Sequence, residues 1–216
     1  MGAEVRFGSA RWARLAVALV NTAPSRRHED RLARPGDLRA LLLAHGEPGP
    51  VETDADDLAD ARAARSALTA VFAAADDEAR LASQLNELLA RTARPALAAH
   101  DGVPLHLHID GPGSSWGEWL AASGAMALAL LISEHGPGVL GQCAAAGCAH
   151  VVLRTGPGPA RRYCDATCAS RTRVAAHRAA RKAAGPVSPA DPAQPPRASS
   201  GTNWAPLTVP TPETRS

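Results

Sequence analysis

At 216 residues and 45% apolar content, the chain can bury the core of one or two domains, with alanine, leucine and valine doing the packing because aromatics make up only 3%. Its net charge of +2 conceals a segregation: residues 1–142 hold 13 basic and 18 acidic side chains, residues 143–184 hold 8 and 1, and residues 185–216 hold 2 and 2. Secretion and membrane insertion are set aside, because the apolar run Leu15 to Val20 is short and ends in Asn21-Thr22-Ala23-Pro24, and Leu120 to Ile132 falls below the roughly 20 residues that span a bilayer. A soluble cytoplasmic protein is expected, and in a reducing compartment clustered cysteines favour metal over disulfides.

Ala10 to Val20 reads as a helix with Trp12, Leu15, Ala16 and Leu19 on one side. After a charged loop, Ser25 to Arg34, the triplet Pro35-Gly36-Asp37 starts a short helix, Leu38 to Ala44, closed by Gly46. Asp54 to Ala75 is the clearest helix: Leu58, Ala61, Arg65, Leu68 and Phe72 form a stripe at spacings of three and four, with acidic residues crowding the first turn. Asp76-Asp77 restarts a helix to about Arg91 with Leu81, Leu85, Leu88 and Leu89 inward, so an αα-hairpin is expected.

The period then changes. Arg94 to His100 and Pro104 to Asp110, separated by Asp101-Gly102, read as a β-hairpin in which Leu105, Leu107 and Ile109 alternate with His106, His108 and Asp110. A metal site of His106, His108 and Asp110 is conceivable from spacing, but an exposed polar face of an amphipathic strand is the simpler reading. Ser115 and Glu118 have capping-box spacing ahead of a helix, about Trp116 to Glu134, that is apolar nearly all round and therefore belongs at the centre of the domain. Trp116 and Trp119 are expected in the core or at a domain interface. Residues 185–216, with eight prolines, read as a disordered tail.

The most specific signal is the cysteine pattern. The only four cysteines fall as Cys143-x4-Cys148 and, fifteen residues later, Cys164-x3-Cys168. Two short pairs supply four thiolates, which is what tetrahedral structural zinc requires, and the segment is too small and polar to fold without the metal. Gly147 permits a tight turn within the first pair. Asp165 is placed to cap a helix starting near Ala166, which puts Cys168 in the first helical turn, where the positive dipole end favours thiolate. His150-Val151-Val152-Leu153-Arg154 reads as a short strand between the pairs, and Thr155 to Pro159 as a turn.

The helix beyond Cys168 is cationic. Arg171, Arg178 and Lys182 form one stripe and Arg173, His177 and Arg181 a second, leaving Ala175, Ala176, Ala179 and Ala183 as a smooth face. With Arg161 and Arg162 before Cys164, these residues are the candidates for phosphate contact on nucleic acid. The competing readings are a solvated helix or one docked on the acidic first domain. A single finger with so few cations binds weakly, so a homodimer or an accessory contact is expected. No nucleophile with an adjacent base and no paired carboxylates stand out, and no enzymatic activity is expected.

These residues carry a resemblance. Cys143 to Cys148, then Arg161-Arg162-Tyr163-Cys164-Asp165-Ala166-Thr167-Cys168-Ala169-Ser170-Arg171 and the helix with His177-Arg178, are similar to the CGNR zinc-finger family of bacterial proteins. Its members join an N-terminal stress-associated domain, ABATE, to a zinc finger named for a Cys-Gly-Asn-Arg motif. The segment Leu15 to Thr22 resembles the family's opening Leu-x-Phe/Val-Asn-Thr, and the order of helices, hairpin, helix and finger also matches. The name motif here is Cys168-Ala169-Ser170-Arg171, which keeps Cys and Arg but not Gly and Asn, and Tyr163 stands where the family often has Trp. The resemblance implies an α+β protein: a mainly helical ABATE-like domain over residues 1–138, a treble-clef or ribbon-like finger over 139–184 holding one structural Zn2+ on Cys143, Cys148, Cys164 and Cys168, and the tail over 185–216. It further implies a transcription regulator, which with the cationic helix is expected to bind DNA, its first domain receiving a small-molecule or protein effector. Asn21-Thr22 reads as the end of the first helix, with a ligand contact by Asn21 and Thr22 as the alternative. The alternative is a zinc-stapled module for protein or RNA without sequence-specific DNA binding.

Overall fold

The computed structural model describes residues 9–25, 29–100, 103–155 and 159–183. The Asp101-Gly102 turn, the centre of the 155–159 turn and the tail 185–216 lie outside the described residues. Four helices come first: α1 (Ser9–Val20), α2 (Pro35–Ala44), α3 (Ala55–Ala73) and α4 (Glu78–Thr92). A hairpin of β1 (Ala96–His100) and β2 (Val103–His108) leads to α5 (Trp116–His135), a single 3-10 turn (Pro137–Val139), β3 (Leu140–Gln142), β4 (Val151–Leu153) and α6 (Ala166–Ala183). This is the expected α+β arrangement of a helical N-terminal part, small β-hairpins and a cysteine cluster.

The helix starts follow from side chains that satisfy the otherwise orphaned first amides. Asp54 accepts from the amides of Asp56 and Asp57 at 2.9 Å each, while the Asp57 carboxylate accepts from the Asp54 amide at 3.1 Å. Ser115 and Glu118 make the same reciprocal pair at the start of α5. At α4, Asp77 accepts from the Arg80 amide at 3.1 Å.

Helix α5 is the centre around which α1, α3 and α4 pack. By length and composition it could cross a bilayer, being longer than the apolar stretch read from the sequence, but Leu120, Leu128 and Leu131 are buried against the other helices. Small residues let the neighbours come close. A methyl group on Gly117 would lie 2.3 Å from the carbonyl carbon of Asp60 in α3, and one on Gly124 would lie 3.0 Å from Leu68 and 3.2 Å from Ala16. The α3 stripe is buried as its spacing predicts, with Leu58, Ala61, Leu68, Val71 and Phe72 inward.

Arg65 belongs to that stripe and is only 9% exposed. It is held by a bidentate pair with Asp30, 2.6 and 2.9 Å, and it also donates to the Thr22 hydroxyl at 3.1 Å. Thr22 in turn donates to the Leu19 carbonyl at 2.6 Å. Arg62 donates to the carbonyls of Leu32 and Ala33. The two arginines therefore fasten the segment after α1 onto α3, and Leu32 is fully buried beneath it.

The hairpin departs from its alternation. Its strands pair antiparallel, with Leu97 opposite Leu107 and Ala98 opposite His106. Leu97 and Leu105 are each 67% exposed, whereas His106 and His108 are half-buried with their rings 4.7 Å apart. A two-stranded ribbon has no second layer to cover its apolar face. It meets the core at its base, where the Ile109 carbonyl accepts from the Arg94 amide and the Ile109 side chain is buried.

Candidate metal centre

Strands β3 and β4 form an antiparallel pair, Leu140 opposite Leu153 and Gln142 opposite Val151, whose inner residues Leu140, Val151 and Val152 are buried. Cys143 directly follows β3. Its amide donates to the His150 carbonyl at 2.8 Å, and the chain returns through a tight turn in which the Cys148 amide donates to the Ala145 carbonyl at 3.0 Å. Gly147 supplies the left-handed conformation that the turn needs, with φ of +69°. The second pair arrives on α6. Asp165 accepts from the Cys168 amide at 2.7 Å, so it acts as the helix cap and sets Cys168 in the first turn. The Ala144 amide donates to the Arg162 carbonyl at 2.8 Å, which ties the two halves together.

The four sulfurs converge: all lie within 4.8 Å of one another, with Cys148 to Cys164 at 3.8 Å and Cys164 to Cys168 at 3.6 Å. Sulfurs placed about 2.3 Å from a central ion at tetrahedral angles are about 3.8 Å apart, so the spacing fits zinc. It does not fit a disulfide, whose sulfurs are about 2.05 Å apart, and all four thiols are free. Burial and the neighbouring sulfurs push the Cys164 thiol up, and burial does the same to Cys168. Burial also opposes ionisation of Cys143, but the amides of Ala145 and Cys164 outweigh it and pull its pKa down. A group of thiols that cannot all ionise by themselves is one that a dication stabilises as thiolates. The protein has one zinc site, formed by these cysteines.

Four further features surround it. The Cys164 amide points at the Cys143 sulfur, 3.4 Å away, and the Arg171 guanidinium points at the Cys168 sulfur, 3.3 Å away. His150 and Asp165 offer donor atoms near Cys164, a second grouping of possible ligands at the rim of the first. Tyr163 is half-buried and packs against the cysteine cluster.

The expected nucleic-acid contacts divide into two sets. Arg161 folds back, donating to the carbonyls of Tyr163 and Cys164, and Arg171 is half-buried at Cys168. Arg162 lies over the Tyr163 ring and is exposed. Arg173, His177, Arg178, Arg181 and Lys182 are all exposed, as is every residue of α6 from Arg173 to Ala183, Val174 at 47% among them. Asn21 and Thr22 are engaged within the fold. The Asn21 side chain donates to the Val151 carbonyl at 3.0 Å and accepts from the Val151 amide at 2.8 Å, a strand-like pairing that clasps the end of α1 to β4. Spacing alone gave no sign of this clasp, because its partner lies 130 residues away.

A helical domain joined to a four-cysteine finger defines a zinc-binding protein, in which Asn21 fastens the end of α1 to strand β4 of the finger. Residues 13–135 match the family ABATE, described as "Putative stress-induced transcription regulator", and residues 140–181 match the CGNR zinc finger. The first match spans more than half of the chain, which belongs to the ABATE family and carries a CGNR zinc finger after it. No curated protein matches the chain.

Proposed function

We propose that the protein is a zinc-dependent DNA-binding transcriptional regulator of the bacterial cytoplasm, in which residues 1–138 receive a ligand or partner and residues 139–184 engage duplex DNA. The observation that carries the reading is the bare cationic length of α6. Eleven consecutive helical residues, 173–183, are exposed, and they present Arg173, Arg178, Arg181 and Lys182 with His177. Helices usually survive by burying one face, so an unpartnered helix in a folded protein is a surface for something else. Its charge selects a polyanion. The family description supports a stress-responsive role, and no catalytic step is assigned.

A lone helix of this charge makes few phosphate contacts, so the DNA-bound form is a homodimer, and the exposed Leu97 and Leu105 of the hairpin are apolar surface available to a second copy. Binding to labelled duplex DNA, followed by anisotropy across a salt series, tests the reading. Four or five neutralised phosphates predict a slope of about −4 in log affinity against log salt. The triple variant Arg173→Glu, Arg178→Glu, Arg181→Glu should abolish binding while retaining zinc. Salt-insensitive association with a protein, or preference for RNA over duplex DNA, would transfer the reading to the interaction-module alternative.

A further inference from the structure

A cleft of about 450 Å³ opens between α1 and the finger, a size typical of small-molecule sites. Its lining is divided by chemistry. Val17, Leu131, Val152 and Leu153 supply an apolar wall, while Arg14, His45 and Arg161 bring cationic or protonatable groups to the same space. A second cavity of about 460 Å³ adjoins it and shares Ala18, Asn21, His45 and Cys164, so His45 stands where the two meet.

Arg14 and His45 are uncommitted. Among the described residues the Arg14 guanidinium makes no hydrogen bond or ion pair, and the His45 imidazole makes no hydrogen bond. The nearby carboxylates are already engaged: Glu47 pairs with Arg11 at 2.8 Å, Asp37 accepts from the amides of Ala33 and Arg34 at the start of α2, and Asp165 caps α6. Burial, with a smaller contribution from the charges of Arg14 and Arg11, holds His45 toward its neutral form. Among the described residues that line the cleft there is no Phe, Tyr or Trp to stack a nucleobase and no carboxylate to receive an amine.

We propose that this cleft binds a small organic acid, its carboxylate received by Arg14 and His45 and its apolar body lying against Val17, Leu131 and Leu153. The proposal rests on the reading that residues 1–138 receive a ligand and gives that ligand a chemical class. It also places the ligand against the clasp, because Asn21, Val151 and Cys164 line the same space. An occupant touches the helix that Asn21 follows, the strand that Asn21 holds and the third cysteine of the zinc centre. The acid is therefore an effector that acts on the seating of the finger.

Isothermal titration of the zinc-loaded full-length protein with benzoate and octanoate, against benzamide and octanamide as uncharged counterparts, tests the site. The acids should bind and the amides should bind at least tenfold more weakly. Arg14→Ala and His45→Ala should each weaken the acids at least tenfold with zinc content and helical circular dichroism unchanged, and Leu131→Ala should weaken octanoate more than inorganic phosphate. Equal binding of acids and amides, no binding of either acid, or affinities unaltered in Arg14→Ala would overturn the proposal. Duplex DNA binding by the same preparations separates the two readings: retained DNA binding with no acid bound sinks the cleft alone, whereas acid binding without DNA binding sinks the regulator reading alone.

Discussion

At the scale of single residues, two arginines that read from the sequence as surface charge or stripe members turn out to be internal. Arg171 lies three residues after Cys168 on α6, and that helical spacing brings its guanidinium to the sulfur. It is part of the zinc centre's surroundings, where a hydrogen bond to the thiolate offsets its charge. Partners of this kind commonly govern metal affinity by 10- to 100-fold, so Arg171→Leu should release zinc to a competing chelator about tenfold more readily with all four cysteines intact. Arg65 is the second case. Its guanidinium holds the Asp30 carboxyl at about 2, against an ordinary 3.8, with the Leu32 amide assisting. Because the folded value is the lower one, this contribution is complete above pH 3.8 and is lost as the pH falls from there toward 2. Asp30→Asn should cost about 3 kcal/mol in urea unfolding at neutral pH, since it strands a buried cation, and should flatten the acid limb of the stability curve.

At the scale of elements, legibility followed periodicity and caps. The helices α1, α3, α4 and α5 announce themselves through stripes such as Leu58, Ala61, Arg65, Leu68 and through Asp54, Asp77 and Ser115 at their starts, because each signal acts within a few residues of chain. Burial in the hairpin could not be read in the same way. Alternation of leucine with histidine states which residues share a face, but which face is covered depends on what packs above it, and among the described residues Leu97 and Leu105 stay largely exposed. The close approach of α5 to α3 was equally hidden. It requires the absence of a side chain at Gly117, where the Asp60 backbone occupies the space of a methyl. In an isolated helix Gly→Ala would stabilise by about 1 kcal/mol. Here Gly117→Ala should instead destabilise by about 2 kcal/mol or more in thermal unfolding, as the two backbones are forced apart.

At the scale of the whole molecule, the cysteine pattern made the finger and its ligand set visible from the sequence, since four thiols within 26 residues need only local folding to converge. The joining of finger to helices was invisible. It depends on Asn21 meeting Val151 and on a cleft whose walls come from α1 and β4, both products of long-range packing. Residues Met1–His177 form one compact unit that contains both the helices α1 to α5 and the cysteine cluster.

The central claim is that one zinc ion held by Cys143, Cys148, Cys164 and Cys168 folds the segment that carries α6. Native mass spectrometry of the reduced full-length protein, prepared without a metal-binding tag, measures this directly. The account predicts one zinc per chain and none in the Cys164→Ser, Cys168→Ser variant. Metal-free protein at full mass, or the same zinc content in that variant, would contradict it.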